Sequence, residues 1–197
     1  MTAIDDSAWK TILTEARTHG AWTDRAVDDA TLRQLYELLR LAPTALNSQP
    51  VRVVFVKSAE AKERLKPGLI EGNVEKTMAA PVTAIIAFDT AYQEKLGQLF
   101  PHWPGAQDLV AGMPPEAREG MGRLNAGLQA GYLITTARGL GLDCGPMSGF
   151  DPAAVDAAFF ADGAWKSVLL VNLGYGDASK LFPRSPRLDF DEACRIA

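Results

Sequence analysis

The sequence predicts an α+β domain, one sheet held between helices, and three observations carry that expectation. Helix-type and strand-type patterns alternate along the 197 residues, with no internal repeat or low-complexity segment. Trp165–Leu173 reads as an apolar strand suited to the centre of a sheet. Glu116–Gly139 is a long helical pattern crowded with small residues.

Taken in order, Trp9–His19 reads as a first helical stretch, with Arg17 and His19 at its end. Asp28-Asp29 supplies an N-cap for a helix carrying Leu32, Leu35, Leu38, Leu39 and Ala42, which Pro43 stops. Arg52–Lys57 is short and β-branched, hence a strand. Ser58 caps a helix over Ala59–Leu65, ended by Pro67-Gly68. Asn73–Met78 is a short helical turn, and Pro81 introduces a strand over Val82–Phe88. Thr90–Pro115 is the least regular part, a mobile excursion with some helix that holds His102 and Trp103.

In the long helix, Gly120, Gly122, Gly127 and Gly131 each cost roughly 1 kcal/mol relative to alanine. Close packing must compensate, so this helix is expected to lie buried against another. Asp151-Pro152 is an N-cap followed by proline at the first helical position, opening a helix to about Phe160. Asp177–Ala197 is an arm rich in proline and arginine with no core face of its own, and the whole chain is expected to form one domain.

Composition narrows the function. The hydrophobic fraction of 47% and charged fraction of 22% are those of an ordinary globular protein. A formal net charge of −4 argues against a nucleic-acid partner, which needs a clustered basic face. The longest apolar run, Ala79–Phe88, contains Pro81 and is well short of the ~20 residues of a membrane span. The opening MTAIDDSAW has no secretory pattern, and Cys144 and Cys194 form no CxxC pair. A cytoplasmic, metal-free protein is expected, and His19 and His102 are too few to build a metal centre. Neither a GxGxxG fingerprint, a Walker loop nor a nucleophile elbow is present.

Three places combine rigidity with polar groups. In PTALNSQP, Pro43 and Pro50 stiffen a link in which Thr44, Asn47, Ser48 and Gln49 offer donors and acceptors together. This is either a loop that satisfies its own backbone or the wall of a heterocycle site. In GLDCGPMSGFD, Gly145–Gly149 forms a strand-to-helix bend whose backbone N–H groups can face a ligand. Arg17 and His19, with Arg184 and Arg187 of PRSPR, are solvated surface cations or a phosphate clamp.

Together these segments resemble the FMN-dependent nitroreductase family. Its Arg-x-(Ser/His) element is matched by Arg17-Thr18-His19, its Pro-rich polar link by Pro43–Pro50, and its Asn-x-x-Lys by Asn73 and Lys76. Ala80-Pro81, the bend at Pro146-Met147-Ser148-Gly149-Phe150, and LGYG followed by a basic arm are also similar. The resemblance implies a mixed, mostly antiparallel sheet flanked by helices in three layers, and a homodimer with FMN at the subunit interface. It implies that Arg17, Thr18, His19, Arg184 and Arg187 hold the phosphate and ribityl chain. Thr44 and Asn47 would lie along the flavin edge, Asn73 and Lys76 at its pyrimidine end, and Pro146, Met147, Ser148 and Gly149 beside N5. NAD(P)H would be the reductant, and no side chain need act as a nucleophile.

Two departures stand out: Val51 follows the Gln-Pro where many members have Trp, and Gly20-Ala21-Trp22 replaces a further basic residue. Within the family, EARTHGAW, KSAEAKERLKPGL and LFPHWPG look most like the branch that reduces malonic semialdehyde to 3-hydroxypropionate in pyrimidine breakdown. Nitroaromatic or quinone acceptors are the alternative substrates, with His102 and Trp103 expected to shape the choice. A flavin carrier without turnover and a structural dimerisation protein are the readings from other classes; the latter explains the glycine-rich helix but not the polar link.

Overall fold

The computed structural model describes residues 2–197. Its centre is a four-stranded sheet of β1 (Val51–Val56), β2 (Val82–Asp89), β3 (Asp143–Met147) and β4 (Trp165–Gly174), in the order β1-β2-β4-β3 with every neighbour antiparallel. The parallel component is confined to an isolated bridge, Thr18 to Cys144, along the outer side of β3. β4 is central as its apolar pattern requires, and it carries one extra residue, Val168, where the register slips opposite Ile86 and Ala87. Pro146 lies on the edge strand β3, where its missing N–H breaks no central ladder.

Nine α-helices are present among the described residues: α1 (Asp6–Trp9), α2 (Asp29–Leu39), α3 (Ala59–Leu65), α4 (Glu71–Ala79), α5 (Leu96–Leu99), α6 (Ala106–Ala111), α7 (Pro115–Gly139), α8 (Pro152–Phe159) and α9 (Phe190–Ala193). The caps form as their chemistry dictates: Asp28, Ser58 and Asp151 each accept a hydrogen bond from a backbone N–H of the first turn. Alternation along β2 divides the core. Val82, Ala84 and Ile86 face Leu32, Leu35 and Leu39 of α2 and Ala130, Leu133 and Ala137 of α7. Ile85 and Ala87 face the opposite layer, with Leu65 of α3 and Val155 of α8. Each buried Val, Leu or Ile among these contributes about 1.5–3 kcal/mol relative to exposure, and each alanine less. No helix among the described residues is long and apolar enough to cross a membrane.

The N-terminal expectation needs correction. The helix starts earlier, at Asp6, with Asp5 as its cap, widens into a π-helical turn over Lys10–Thr14, and ends there. Arg17-Thr18-His19 therefore lies beyond the helix, in an extended segment whose His19 N–H donates to Cys144 O at 3.0 Å. A residue cannot remain helical while its backbone pairs with a strand edge. The turn at Asn73 is longer than expected, a helix from Glu71 to Ala79, ended where Ala80 turns extended before Pro81. The excursion contains α5 and α6 over a small core of Tyr92, Leu96 and Val110.

The glycine-rich helix is buried only along one stripe: Gly122, Asn125, Ala126, Gln129, Ala130, Leu133 and Ala137. At Gly122 close packing does apply, since a Cβ would fall 2.9 Å from both Phe88 and Tyr92. At Gly120, Gly127 and Gly131 a Cβ would meet nothing within 4 Å, so within one chain those glycines face open space.

A buried polar chain fixes α4 on the sheet. The Lys62 ammonium of α3, 4% exposed, donates to Thr77 O at 2.7 Å and to Thr83 Oγ1 at 2.6 Å. Thr77 O is among the terminal carbonyls that lack an intrahelical partner, and a cation suits that end of the helix dipole. Thr83 donates onward to Asn172 Oδ1 at 2.7 Å, and Asn172 Nδ2 reaches Lys76 O and Thr77 Oγ1, each at 3.3 Å.

Burial without a carboxylate partner pushes the Lys62 pKa down from 10.5 to about 8. Between those values the unfolded chain holds a proton that the folded chain has released, so this lysine makes stability rise as pH increases from about 8 to 10.5. Cys144, pushed up by burial to about 12, acts oppositely above its unfolded pKa. Urea unfolding of wild type and Lys62→Met at about pH 7 and about pH 10 isolates the lysine. The stability difference is expected to shift by about 3 kcal/mol in favour of wild type at the higher pH; a difference that stays flat means the ammonium is not desolvated.

Candidate functional site

The candidate residues fall into two groups at opposite corners of the sheet. The first gathers around the outer side of β3. A cleft of about 470 Å³ is lined by Arg17, Arg138, Lys180, Arg184 and Arg187, with no acidic side chain on its wall. The arginines are oriented by carbonyls rather than carboxylates: Arg17 Nη2 donates to Phe182 O, Arg184 Nη2 to Thr14 O (2.9 Å) and Ala16 O (3.0 Å), and Arg187 Nη1 to Ser185 O (2.9 Å) and Pro186 O (3.0 Å). Thr18 shares this wall. Five cations line this cleft with no acidic side chain among them, an arrangement that could hold an anion, and guanidinium forks suit phosphate.

Adjoining the same edge, Asn73 of α4 is 6% exposed and its Nδ2 donates to Gly149 O at 2.6 Å. Gly149 must be glycine for this approach, since a Cβ would lie 2.8 Å from that nitrogen and 2.5 Å from Ile70 Cδ1. Lys76 packs over Gly20. Gly145, Pro146 and Met147 belong to β3 itself, so the strand-to-helix bend is narrower than expected and begins at Ser148. Met147 is 7% exposed with Thr77 Oγ1 donating to its sulfur at 3.5 Å, so its side chain serves the core and only its backbone is free to line a site.

His19 does not line the cleft. Its ring is 6% exposed, lies against Gly176, and sets Nε2 3.4 Å from Asp143 Oδ1, while Asp143 Oδ2 accepts the Gly176 N–H at 2.8 Å. The pairing of residues 18–19 with β3 turns the imidazole inward, so the His19 side chain fastens the N-terminal segment to the fold instead of facing the cleft.

The second group surrounds the Pro43–Pro50 link. Leu46, Asn47 and Gln49 all adopt positive φ, at 55°, 48° and 40°, a conformation disfavoured for non-glycine residues. The surroundings hold them there. Asn125 Oδ1 and Gln129 Oε1, one turn apart on α7, accept the N–H groups of Ala45 (2.8 Å) and Val51 (3.2 Å) at either end of the link. Thr44 Oγ1 accepts the Gln49 N–H at 3.1 Å, Asn47 Nδ2 donates to Leu99 O at 2.8 Å, and Gln49 Nε2 donates to Asn47 Oδ1 at 2.9 Å. The link thus satisfies much of its own polarity, and it presents an exposed Asn47 at its tip. His102 packs against Phe100 with ring centroids 3.9 Å apart and planes tilted by 57°, and Trp103 is 44% exposed. Phe100 and Leu46 pack on one apolar cluster, which places His102 and Trp103 near the link.

Register measures the separation of the groups. Val51 pairs with Phe88, which pairs with Lys166, whereas the Thr18 bridge leads through Cys144 to Leu173. The corners are therefore three strand spacings of about 4.8 Å apart across the sheet and about seven residues apart along it, at roughly 3.4 Å each. No side chain spans that distance.

Sequence reasoning missed Arg138, Lys180, Asn125 and Gln129. Arg138 reads as an ordinary last-turn helix cation; the two amides set four apart among glycines and alanines were the available signal for the clamp on the link.

A stiff amide-bearing link, a buried Asn on a glycine bend and an acid-free arginine cleft share a three-layer α+β frame, a set of donors whose chemistry suits a phosphate-bearing ligand. The description of the Nitroreductase family matches residues 13–175. A protein of Stutzerimonas stutzeri (strain A1501), provisionally named an NADH dehydrogenase/NAD(P)H nitroreductase, is 60% identical over 194 residues, 98% of each chain. One of Burkholderia lata with the same provisional name is 56% identical over 196 residues, 100% of each. The fold is that of Bacillus subtilis ydfN, provisionally named a nitroreductase, with TM-score 0.89 at 20% identity over 98% of this chain and 100% of that one. It is also that of an Exiguobacterium sibiricum protein of the same provisional class solved with FMN, with TM-score 0.87 at 21% identity over 100% and 99%. The chain belongs to the Nitroreductase family, a family of FMN- and NAD(P)H-using oxidoreductases.

Gly176→Ala is expected to destabilise by about 2 kcal/mol or more, because its Cβ would overlap the His19 ring. Adding His19→Ala should recover part of that loss in a double-mutant cycle read by urea unfolding. Strict additivity would mean that the ring and Gly176 do not touch.

Proposed function

We propose that the chain is an FMN-dependent NAD(P)H oxidoreductase that works as a homodimer, with each cofactor lodged between subunits. The observation that carries this reading is the acid-free arginine cleft at one corner of the sheet and the polar link at the other. A two-fold partner sets the link of one subunit beside the cleft of the other. The surface supports such a partner: Leu124 (68% exposed), Leu128 and Tyr132 recur every fourth residue along α7 beside the open glycines, and Phe182 and Leu188 of the arm are also bare.

The residues fit the cofactor. Arg17, Arg184 and Arg187, with Thr18, would hold the phosphate through charge-assisted hydrogen bonds. Asn73 and Lys76 would meet the pyrimidine end, where a fixed cation favours negative charge. The backbone of Pro146–Gly149 would support the ring, and Thr44 and Asn47 of the partner subunit would cover its edge. Bound there, FMN supplies a two-electron carrier between nicotinamide and acceptor. The chain's own work is to orient, to exclude water, and to hold Lys76 near the developing charge.

The acceptor we favour is malonic semialdehyde: NAD(P)H, a proton and the aldehyde give NAD(P)⁺ and 3-hydroxypropionate, the carbonyl carbon gaining hydride and its oxygen a proton. The resemblance of the EARTHGAW and LFPHWPG segments supports it, as does a basic, aromatic pair, His102 and Trp103, near the link. The names of the Stutzerimonas and Burkholderia relatives favour a second reading, a nitroaromatic reductase.

Steady-state turnover of malonic semialdehyde against a nitroaromatic, at equal enzyme and NADH, separates them. A kcat/KM at least about tenfold higher for the aldehyde is expected; the opposite order selects the nitroreductase. A colourless purified protein that cannot be reconstituted with FMN would sink both readings, and one that binds FMN without oxidising NADH would be a carrier. Replacing His102 and Trp103 together by alanine should change aldehyde turnover more than FMN affinity, and the reverse outcome removes the excursion from substrate choice.

A further inference from the structure

The last turn of α7 brings one more guanidinium to the arginine cleft. Arg138 lines it together with Arg17, Arg184 and Arg187. Its Nη1 donates to Ile12 O at 3.0 Å, which orients the fork, and its Nε is buried with no acceptor. Ile12 lies in the π-helical turn, and the neighbouring carbonyls of Thr14 and Ala16 orient Arg184 in the same way. One irregular turn thus holds two arginines with their remaining N–H groups unspent, and a guanidinium has five to offer. Gly20-Ala21-Trp22, directly after Arg17-Thr18-His19, adds no basic side chain to the N-terminal element.

Resting on the FMN reading above, we propose that Arg138 completes the phosphate cradle. It supplies from the helix end the cation that the N-terminal element lacks, and its free N–H groups take oxygens of a phosphate monoester dianion. The planar fork matches two such oxygens at once, which an ammonium cannot do.

The test uses the full-length protein freed of flavin and titrated with FMN and with riboflavin, which lacks only the phosphate, by flavin fluorescence. Inorganic phosphate is added as a competitor. Wild type is expected to prefer FMN and to lose FMN affinity to inorganic phosphate. Arg138→Met should weaken FMN by about tenfold or more while leaving riboflavin unchanged, and should make FMN affinity less sensitive to salt. Arg138→Lys should fall between the two, since it keeps the charge without the fork. FMN affinity that is unchanged in both variants, or lost equally with riboflavin, overturns the role of Arg138. Should the methionine variant fail to fold, the lysine variant decides by the same FMN-to-riboflavin comparison. Wild type that binds neither flavin nor inorganic phosphate overturns the FMN reading as well, so the two failures are distinguishable.

Discussion

Strand order is the constraint on which the rest depends. With β1 and β3 at opposite edges, the polar link that enters β1 and the arginine cleft beside β3 are fixed at diagonal corners. The sheet is packed on both faces, β2 being almost wholly buried, and a register slip by one residue would turn each of its core side chains to the wrong layer. The two halves are thus rigidly held apart by the sheet between them, which is why the proposed flavin site draws on two subunits.

Each half is positioned by buried polar groups rather than by packing alone. At the link, Asn125 and Gln129 hold three residues in left-handed backbone conformations that would otherwise relax. At the cleft side, the chain from Lys62 through Thr83 to Asn172 ends on the carbonyls of Lys76 and Thr77, fixing the helix that carries Asn73. Low-dielectric surroundings strengthen these bonds and make a broken one costly. The arginines of the cleft and Asn47 of the link stay at the surface, Asn73 is itself buried, and the supports lie one layer beneath.

What was legible in the sequence was what local chemistry decides. Asp28, Ser58 and Asp151 announce helix starts because a short acceptor side chain meets orphan N–H groups within three residues. Membership of the family was legible too, from the motif residues taken as a set. The early stop of the first helix was not, because a strand edge far along the chain competes for the backbone of residues 18–19. His19 looked like a ligand for the same reason: nothing local says that its ring will be folded inward onto Gly176 and Asp143. Lys62 and Arg138 sit at ordinary helical positions, and only the tertiary fold makes one a buried ammonium and the other a cleft wall.

The arginine cleft has a thermodynamic side. Its arginines are held by neutral carbonyls, so the folded chain keeps like charges close together with no carboxylate on the cleft wall. That self-repulsion is absent from the unfolded chain, where the same arginines are dispersed. Under the proposed reading, a dianion bound there would act first as a counter-ion, and folding and cofactor uptake would be linked equilibria: a ligand that binds only the native state stabilises it in proportion to the logarithm of its concentration over Kd. Loss of the cofactor would then also remove part of what ties the N-terminal segment to the C-terminal arm.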